Sequence, residues 1–149
     1  MKARRIQILS GLLFILFLFG CSIQGTYYLR NFTDQTAKVI LMLTEPATKT
    51  FEAPTFAYSN KIEKLKRDAY KKFSSSLKGK YLTDSTIEVL MSAESTLFFA
   101  FGTNSRVRGI KTLQIESKNG IEILHADDIN KLDHRMRGGG QYTAHKDIQ

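Results

Sequence analysis

The chain has 149 residues, 42% of them hydrophobic and 24% charged, with ten Phe, six Tyr, no Trp and two Pro. That balance excludes a disordered polar chain, and the length implies one domain with a single core. A single Cys excludes an intramolecular disulfide and a metal site built from thiolates, while the formal charge of +8 raises the question of an anionic partner.

The first residues, "MKARR", carry three positive charges. They are followed by "IQILSGLLFILFLFG", an uncharged run of 15 residues, and small Gly20 precedes Cys21. Charged segment, apolar segment and small residue in this order form the pattern of an export signal, and the run is shorter than the roughly 20 apolar residues of a transmembrane helix. The quartet Leu18-Phe19-Gly20-Cys21 resembles the lipobox of bacterial lipoproteins, with Phe19 a departure from the small or β-branched residue usual at that place. The resemblance implies thioether diacylation of Cys21, cleavage before it and acylation of the new terminus. Ser22 is not the aspartate that retains enteric-type lipoproteins in the inner membrane, so the resemblance implies the outer membrane. The expected organisation is a signal peptide over 1–20, the lipidated Cys21 with a short tether over 21–25, and one globular domain over 26–149.

Without the leader the chain has 19 basic against 14 acidic residues, a net charge of +5. An exported protein does not meet cellular nucleic acid, so none is expected as a partner. The tether "SIQG" spans at most ~14 Å when extended, which holds the domain close to the lipid surface. "TYYLRN", "FTDQ" and "TAKVILMLT" read as two strands around a polar turn. In the second, Ala37, Val39, Leu41 and Leu43 share one face and Ile40 and Met42 the other, the pattern of a strand covered on both sides at the centre of the core.

After a loop containing Pro46 and Pro54 the period changes. Ile62, Leu65, Ala69, Phe73 and Leu77 are spaced for an arc of about 120° on a helix over 60–78. Asn60 with Glu63 suits a capping box at its start, and Gly79 suits its end. Lys66 falls inside the apolar arc and is expected to snorkel outward. Between Lys61 and Lys80 there are eight basic residues against Glu63 and Asp68. Of these, Lys64, Arg67, Lys71 and Lys78 fall within a sector of about 60° opposite the apolar arc. This face has three readings: a solvated helix surface, contact with anionic lipid headgroups, and contact with an acidic glycan or an envelope protein.

Strand periodicity returns in "TIEVLM" and in "TLFFAFG", which is apolar on both faces. The intervening "SAES" reads as a hairpin loop. "VRGIKTLQIE" breaks its alternation at Gly109, which a bulge would absorb. For "SKNGIEILH" the hydrophobic face favours a three-residue loop Lys118-Asn119-Gly120 that pairs Ile115 with Ile123 over a two-residue Asn-Gly loop. "DDINKLDHRMR" reads as a short helix capped by Asp127 with Ile129, Leu132 and Met136 on one face. "GGG" at 138–140 ends it, and "QYTAHKDI" reads as an edge strand with Tyr142, Ala144 and Ile148 inward. The fold class is therefore mainly β: an antiparallel two-sheet sandwich of Ig-like type with one amphipathic basic helix over about 60–78.

Histidine near a carboxylate is the minimum for a general base, which draws attention to His125, Asp127 and Asp128, to Asp133 and His134, and to His145. Their spacing matches no metal-binding or hydrolytic motif, and no serine stands in GxSxG or SxxK. The triple glycine lacks the strand, helix and lysine of a phosphate loop. No catalytic residue, metal or cofactor is assigned. Two functions remain: a non-enzymatic binding or scaffolding lipoprotein of the cell envelope, and a small envelope hydrolase or metal-dependent enzyme using the region of His125 and Asp127. If the histidines lie apart, the second loses its basis.

Overall fold

The alternation in residues 37–43 becomes β2 (Ala37–Leu43), and Ala37, Val39 and Leu41 are fully buried. In the computed structural model, which describes residues 22–46, 54–66, 68–132, 134–137 and 141–149, β2 is the middle strand of a five-stranded sheet. Its order is β10 (Gly120–His125), β9 (Ile110–Ser117), β2, β6 (Thr86–Met91) and β5 (Lys80–Thr83). The register places Val39 between Val89 and Ile115, and Leu41 between Ile87 and Leu113, so two apolar rows cross the inner face of this sheet. Its outer face is open, contrary to the expectation for β2. Met42 is 39% exposed, and Lys38 and Glu116 form an ion pair at 2.5 Å in the outer row. A row of charged and apolar residues needs no cover, because the charges stay solvated. The break foreseen near Gly109 is present as a register shift between β2 and β9, with Gly109 at φ +75.

The second sheet runs β11 (His134–Arg137), β12 (Gln141–Ile148), β1 (Gln24–Asn31), β7 (Ser95–Thr103), β3 (Thr55–Ser59) and β4 (Ser75–Lys78), with β8 (Arg106–Val107) paired to β7. Tyr27, Leu29, Tyr58, Leu97, Phe99, Tyr142, Ala144 and Ile148 pack against the apolar rows of the first sheet. The chain is mainly β, two sheets face to face, as expected. β12 faces inward through the residues foreseen, but it is not an edge. It pairs in parallel with β1 along its whole length, and β11 covers its first half. Strands β3, β4, β5, β8 and β11 were not foreseen.

The helix expected over 60–78 does not form. Residues 60–66 run without helical structure, Asp68 is left-handed at φ 52, and one 3₁₀ turn, Ala69–Lys72, precedes β4. Of the apolar residues that suggested a helix, Leu65, Ala69 and Phe73 pack as a strap across the outer face of the second sheet, Ile62 is half-buried, and Leu77 packs from β4 against the core between the sheets. Leu65 and Ala69 are buried with Tyr28, and Tyr70 stacks on Phe98 at 4.5 Å between ring centres. Glu63 does not complete a capping box with Asn60. Its side chain accepts from Ser59 Oγ at 2.8 Å, and its N–H donates to Thr96 Oγ1 at 2.9 Å. The physical reason lies outside the segment: β3 offers a free edge, which Ser75–Lys78 fills, and Ser74, Ser75 and Ser76 are poor helix formers. Gly79, taken as a helix stop, is the corner where the chain passes from β4 in one sheet to β5 in the other. A Cβ there would stand 2.7 Å from Ile87 Cγ2.

Two connections read as local pairings are arches between sheets. β1 and β2, and likewise β6 and β7, lie in different sheets, so "SAES" is not a hairpin loop. β7 is apolar on both faces and joins the sheet whose outer face the strap covers. β6 alternates and joins the sheet with the open face. Buried Asn31 ties the arches together, donating from Nδ2 to Gln35 O at 2.8 Å and to Ser92 O at 2.9 Å.

The β9–β10 hairpin adopts neither register weighed from the sequence. Ser117 pairs with Gly120 across Lys118-Asn119, Leu113 faces Leu124, and Ile115 faces Glu122. Ile121 and Ile123 consequently point outward, 67% and 52% exposed. Inward-facing Glu122 reaches Lys146 of the opposite sheet at 2.7 Å, a contact between sheets that the hairpin's own sequence does not contain. The following helix α1 is shorter than foreseen, Ala126–Asn130, and residues 134–137 form β11 instead. His125, not Asp127, is its N-cap, with His125 N–H donating to Asp128 Oδ2 at 3.2 Å. Ile129 is fully buried, as its predicted face requires.

Candidate functional site

The segment that follows Cys21 is ordered almost at once. β1 begins at Gln24, so Gly25 belongs to the strand rather than to a tether. Ile23 N–H donates to Asn104 Oδ1 at 2.8 Å, and Asn104 N–H donates to Ile23 O at 2.7 Å. Asn104 and Ser105 are both left-handed, φ 51 and 61, as the two central residues of a tight β7–β8 hairpin turn must be. This clasp holds the chain one residue after Ser22. Cys21 and the leader lie outside the described residues.

Beside the clasp a cleft of about 200 Å³ opens between the start of β1, the start of β12 and the strap. Gln24, Thr26, Tyr70, Lys71, Phe101 and Gln141 line it. Behind its Gly25 and Tyr142 lining, on the inner face of the sheet, runs an aromatic and glycine row. The Tyr142 ring lies over Gly25, the Tyr27 and Tyr142 hydroxyls are 3.2 Å apart, and the two rings meet edge-on at 5.9 Å. Burial pushes the Tyr27, Tyr28 and Tyr142 phenols above their ordinary value. These groups are therefore neutral hydrogen-bonding groups at neutral pH rather than bases. Lys71, at the cleft rim, pairs with Asp68 at 3.2 Å. Amide side chains, a hydroxyl and exposed ring faces equip the cleft to hold a polar group, and the residues lining it include no histidine.

The basic residues singled out from the sequence stand on successive non-helical elements instead of one helix. Lys64 is exposed in the strap, Lys71 in the 3₁₀ turn and Lys78 on β4, while Arg67 lies outside the described residues. Of the histidines, His125 is separated by the fold from the other two, which stand on the paired strands β11 and β12. Exposed His125 ends β10 in the five-stranded sheet, His145 stands opposite Tyr28 in the other sheet, and the backbone of His134 pairs with Ala144. Asp128 is engaged by the helix start, and Asp127 is exposed. Asp133 and the triple glycine lie outside the described residues. Among the described residues, no three His, Cys, Asp or Glu stand together to hold a metal, and no helix is long and apolar enough to cross a membrane.

Sequence reading missed Asn104, Arg106, Arg108, Tyr70 and Phe101 as residues of this end of the sandwich, around the clasp and the cleft. The available signal was the polar pair Asn104-Ser105 directly after an apolar strand, a turn composition; its partner Ile23 lies 81 positions away. No protein-family model, curated protein or solved structure matches the chain.

Proposed function

We propose that this chain is a bacterial lipoprotein anchored to the outer membrane through acylated Cys21, acting as a non-enzymatic binding or scaffolding module of the cell envelope. The observation that supports it is the joint between anchor and domain: β1 starts three residues after the lipobox cysteine, and the Ile23–Asn104 clasp leaves no stalk. Two or three acyl chains at ~0.8 kcal/mol per buried CH₂ hold such a body at the bilayer durably. The separation of His125 from His145 favours binding over hydrolysis. The test is metabolic labelling with a fatty acid, followed by separation of inner and outer membranes. Label is expected in the outer-membrane fraction for the wild type and is expected to vanish in Cys21→Ser. Label that persists in the variant removes the proposal.

A further inference from the structure

We infer that the corner of the sandwich around the β7–β8 turn lies against the membrane and that Arg106 and Arg108 contact anionic phospholipid headgroups there. The inference rests on acylation of Cys21 and deepens that reading by naming the surface and its lipid partner. Three observations carry it.

The first is distance. From Ile23, held by Asn104, to Cys21 is two residues, a reach of about 7 Å at most. A lipid on Cys21 therefore brings the bilayer surface to Asn104 and Ser105, and with them to Arg106.

The second is the sorting of charge along the strands. At the end where β1 finishes and β2 starts, the cations are paired: Arg30 with Asp147 at 2.7 Å, Lys38 with Glu116 at 2.5 Å, and Lys118 with Asp34 at 2.9 Å. At the clasp end, Arg106 and Arg108 are exposed, and neither forms an ion pair with another described residue. Glu45 and Asp84 are exposed on the five-stranded-sheet side of this same end, and helix α1, held to β8 by Val107 N–H donating to Asn130 Oδ1 at 2.7 Å, carries exposed Asp127 and an Asp128 paired with Lys131 at 3.8 Å. Arg106 and Arg108 are thus exposed cations with no acidic partner among the described residues, on the seven-stranded side beside the anchor. Unpaired guanidinium groups suit phosphate, which they can bind through two parallel donors.

The third is the aromatic partner. Arg108 N–H donates to Phe101 O at 2.9 Å, which sets the arginine beside Phe101, 51% exposed and edge-on to Tyr70 at 5.4 Å. Aromatic rings next to cations are what the headgroup layer selects. The exposed ring at the opposite end, Phe32, already has a cation over it, Arg30 at 5.1 Å.

In the acylated full chain the Cys21 thiol is consumed, so Ser105→Cys or Asp34→Cys supplies the reactive thiol for a fluorophore. The labelled proteins are placed on vesicles of phosphatidylcholine with phosphatidylglycerol, containing a headgroup quencher. Quenching at position 105 is expected to exceed that at position 34 several-fold. Adding Arg106→Gln and Arg108→Gln should bring position 105 close to the level of position 34, while the acyl chains keep the protein on the vesicle. Equal quenching at the two positions in the wild type overturns the inference and points the arginines toward a protein partner, with anchoring untouched. A second arm needs no lipid on the protein. The body from Ser22 to Gln149, which contains every described strand, should sediment with phosphatidylglycerol vesicles at low salt and not with neutral ones. The double arginine variant should lose that binding at least tenfold. Equal binding of wild type and variant overturns the inference whether or not Cys21 is acylated, whereas an unlabelled Cys21 overturns only the anchoring.

Discussion

The ring of Tyr142 occupies the space that a side chain on Gly25 would need: a Cβ built on Gly25 would stand 1.9 Å from Tyr142 Cζ. The two residues are register partners on β12 and β1, and Gly102, the partner of Gly25 on β7, leaves room for the Tyr27 ring and the Tyr142 hydroxyl. A glycine row under two tyrosines thus closes the clasp end of the core. Gly25→Ala should destabilise the fold by about 1–3 kcal/mol, because a ring held between sheets has nowhere to move. In a Tyr142→Ala background the same change should cost less than half as much, since the obstacle is gone. Urea unfolding of the four proteins checks this; equal costs in both backgrounds would place the strain elsewhere.

The buried phenols make a prediction about alkaline pH. Burial raises the pKa of Tyr27, Tyr28 and Tyr142 in the folded state above the ordinary 10.0, while the unfolded chain keeps that value. Above about pH 10 the folded state then binds more protons than the unfolded one, so stability is complete below that pH and is lost as pH rises through the folded values. Melting temperature should fall between about pH 9 and about pH 11, and less steeply in a Tyr27→Phe, Tyr28→Phe, Tyr142→Phe triple variant. Identical slopes for wild type and variant would refute the assignment.

Asn31 satisfies all its side-chain bonding capacity inside the protein: Nδ2 donates to Gln35 O and Ser92 O, while Oδ1 accepts from Thr33 N–H at 3.1 Å and Thr33 Oγ1 at 2.8 Å. Asn31→Ala strands these partners and should cost roughly 2–4 kcal/mol. Asn31→Asp sets a carboxylate against two carbonyl oxygens, which favours the protonated acid. That variant should regain stability as pH is lowered from neutral, opposite to the usual acid limb. Chemical denaturation across this range measures it, and a variant that only weakens on acidification would contradict the two-carbonyl geometry.

Neighbours on one strand should respond in opposite ways. Leu41 is fully buried between Ile87 and Leu113, so Leu41→Asp buries an unpaired carboxylate and should abolish folding of the Ser22–Gln149 body. Met42 faces the open side, and Met42→Asp should cost no more than about 1 kcal/mol. Circular dichroism melts of the two variants decide it; equal loss would mean that the outer face of this sheet is covered.

What the amino-acid sequence by itself determined is which residues face inward wherever alternation is strict: Val39 and Leu41, Ile87 and Val89, Leu113 and Ile115, Tyr142 and Ala144. Pleating puts every second side chain on one face, so this is decided locally. What only the tertiary structure decided is which strand meets which. Residues 60–78 carry helical spacing, yet Leu65, Ala69 and Phe73 serve equally as anchors of a strap once Tyr28 and Phe98 offer a platform and β3 a free edge. β6 and β7 are adjacent in the chain, yet the covered and open faces of the two sheets draw them apart. In the β9–β10 register Glu122 meets Lys146 of the opposite sheet, and the Ile23–Asn104 clasp joins residues 81 positions apart. Each of these depends on a partner distant in sequence, and the free energy of that pairing outweighs a local preference worth less than about 1 kcal/mol per residue.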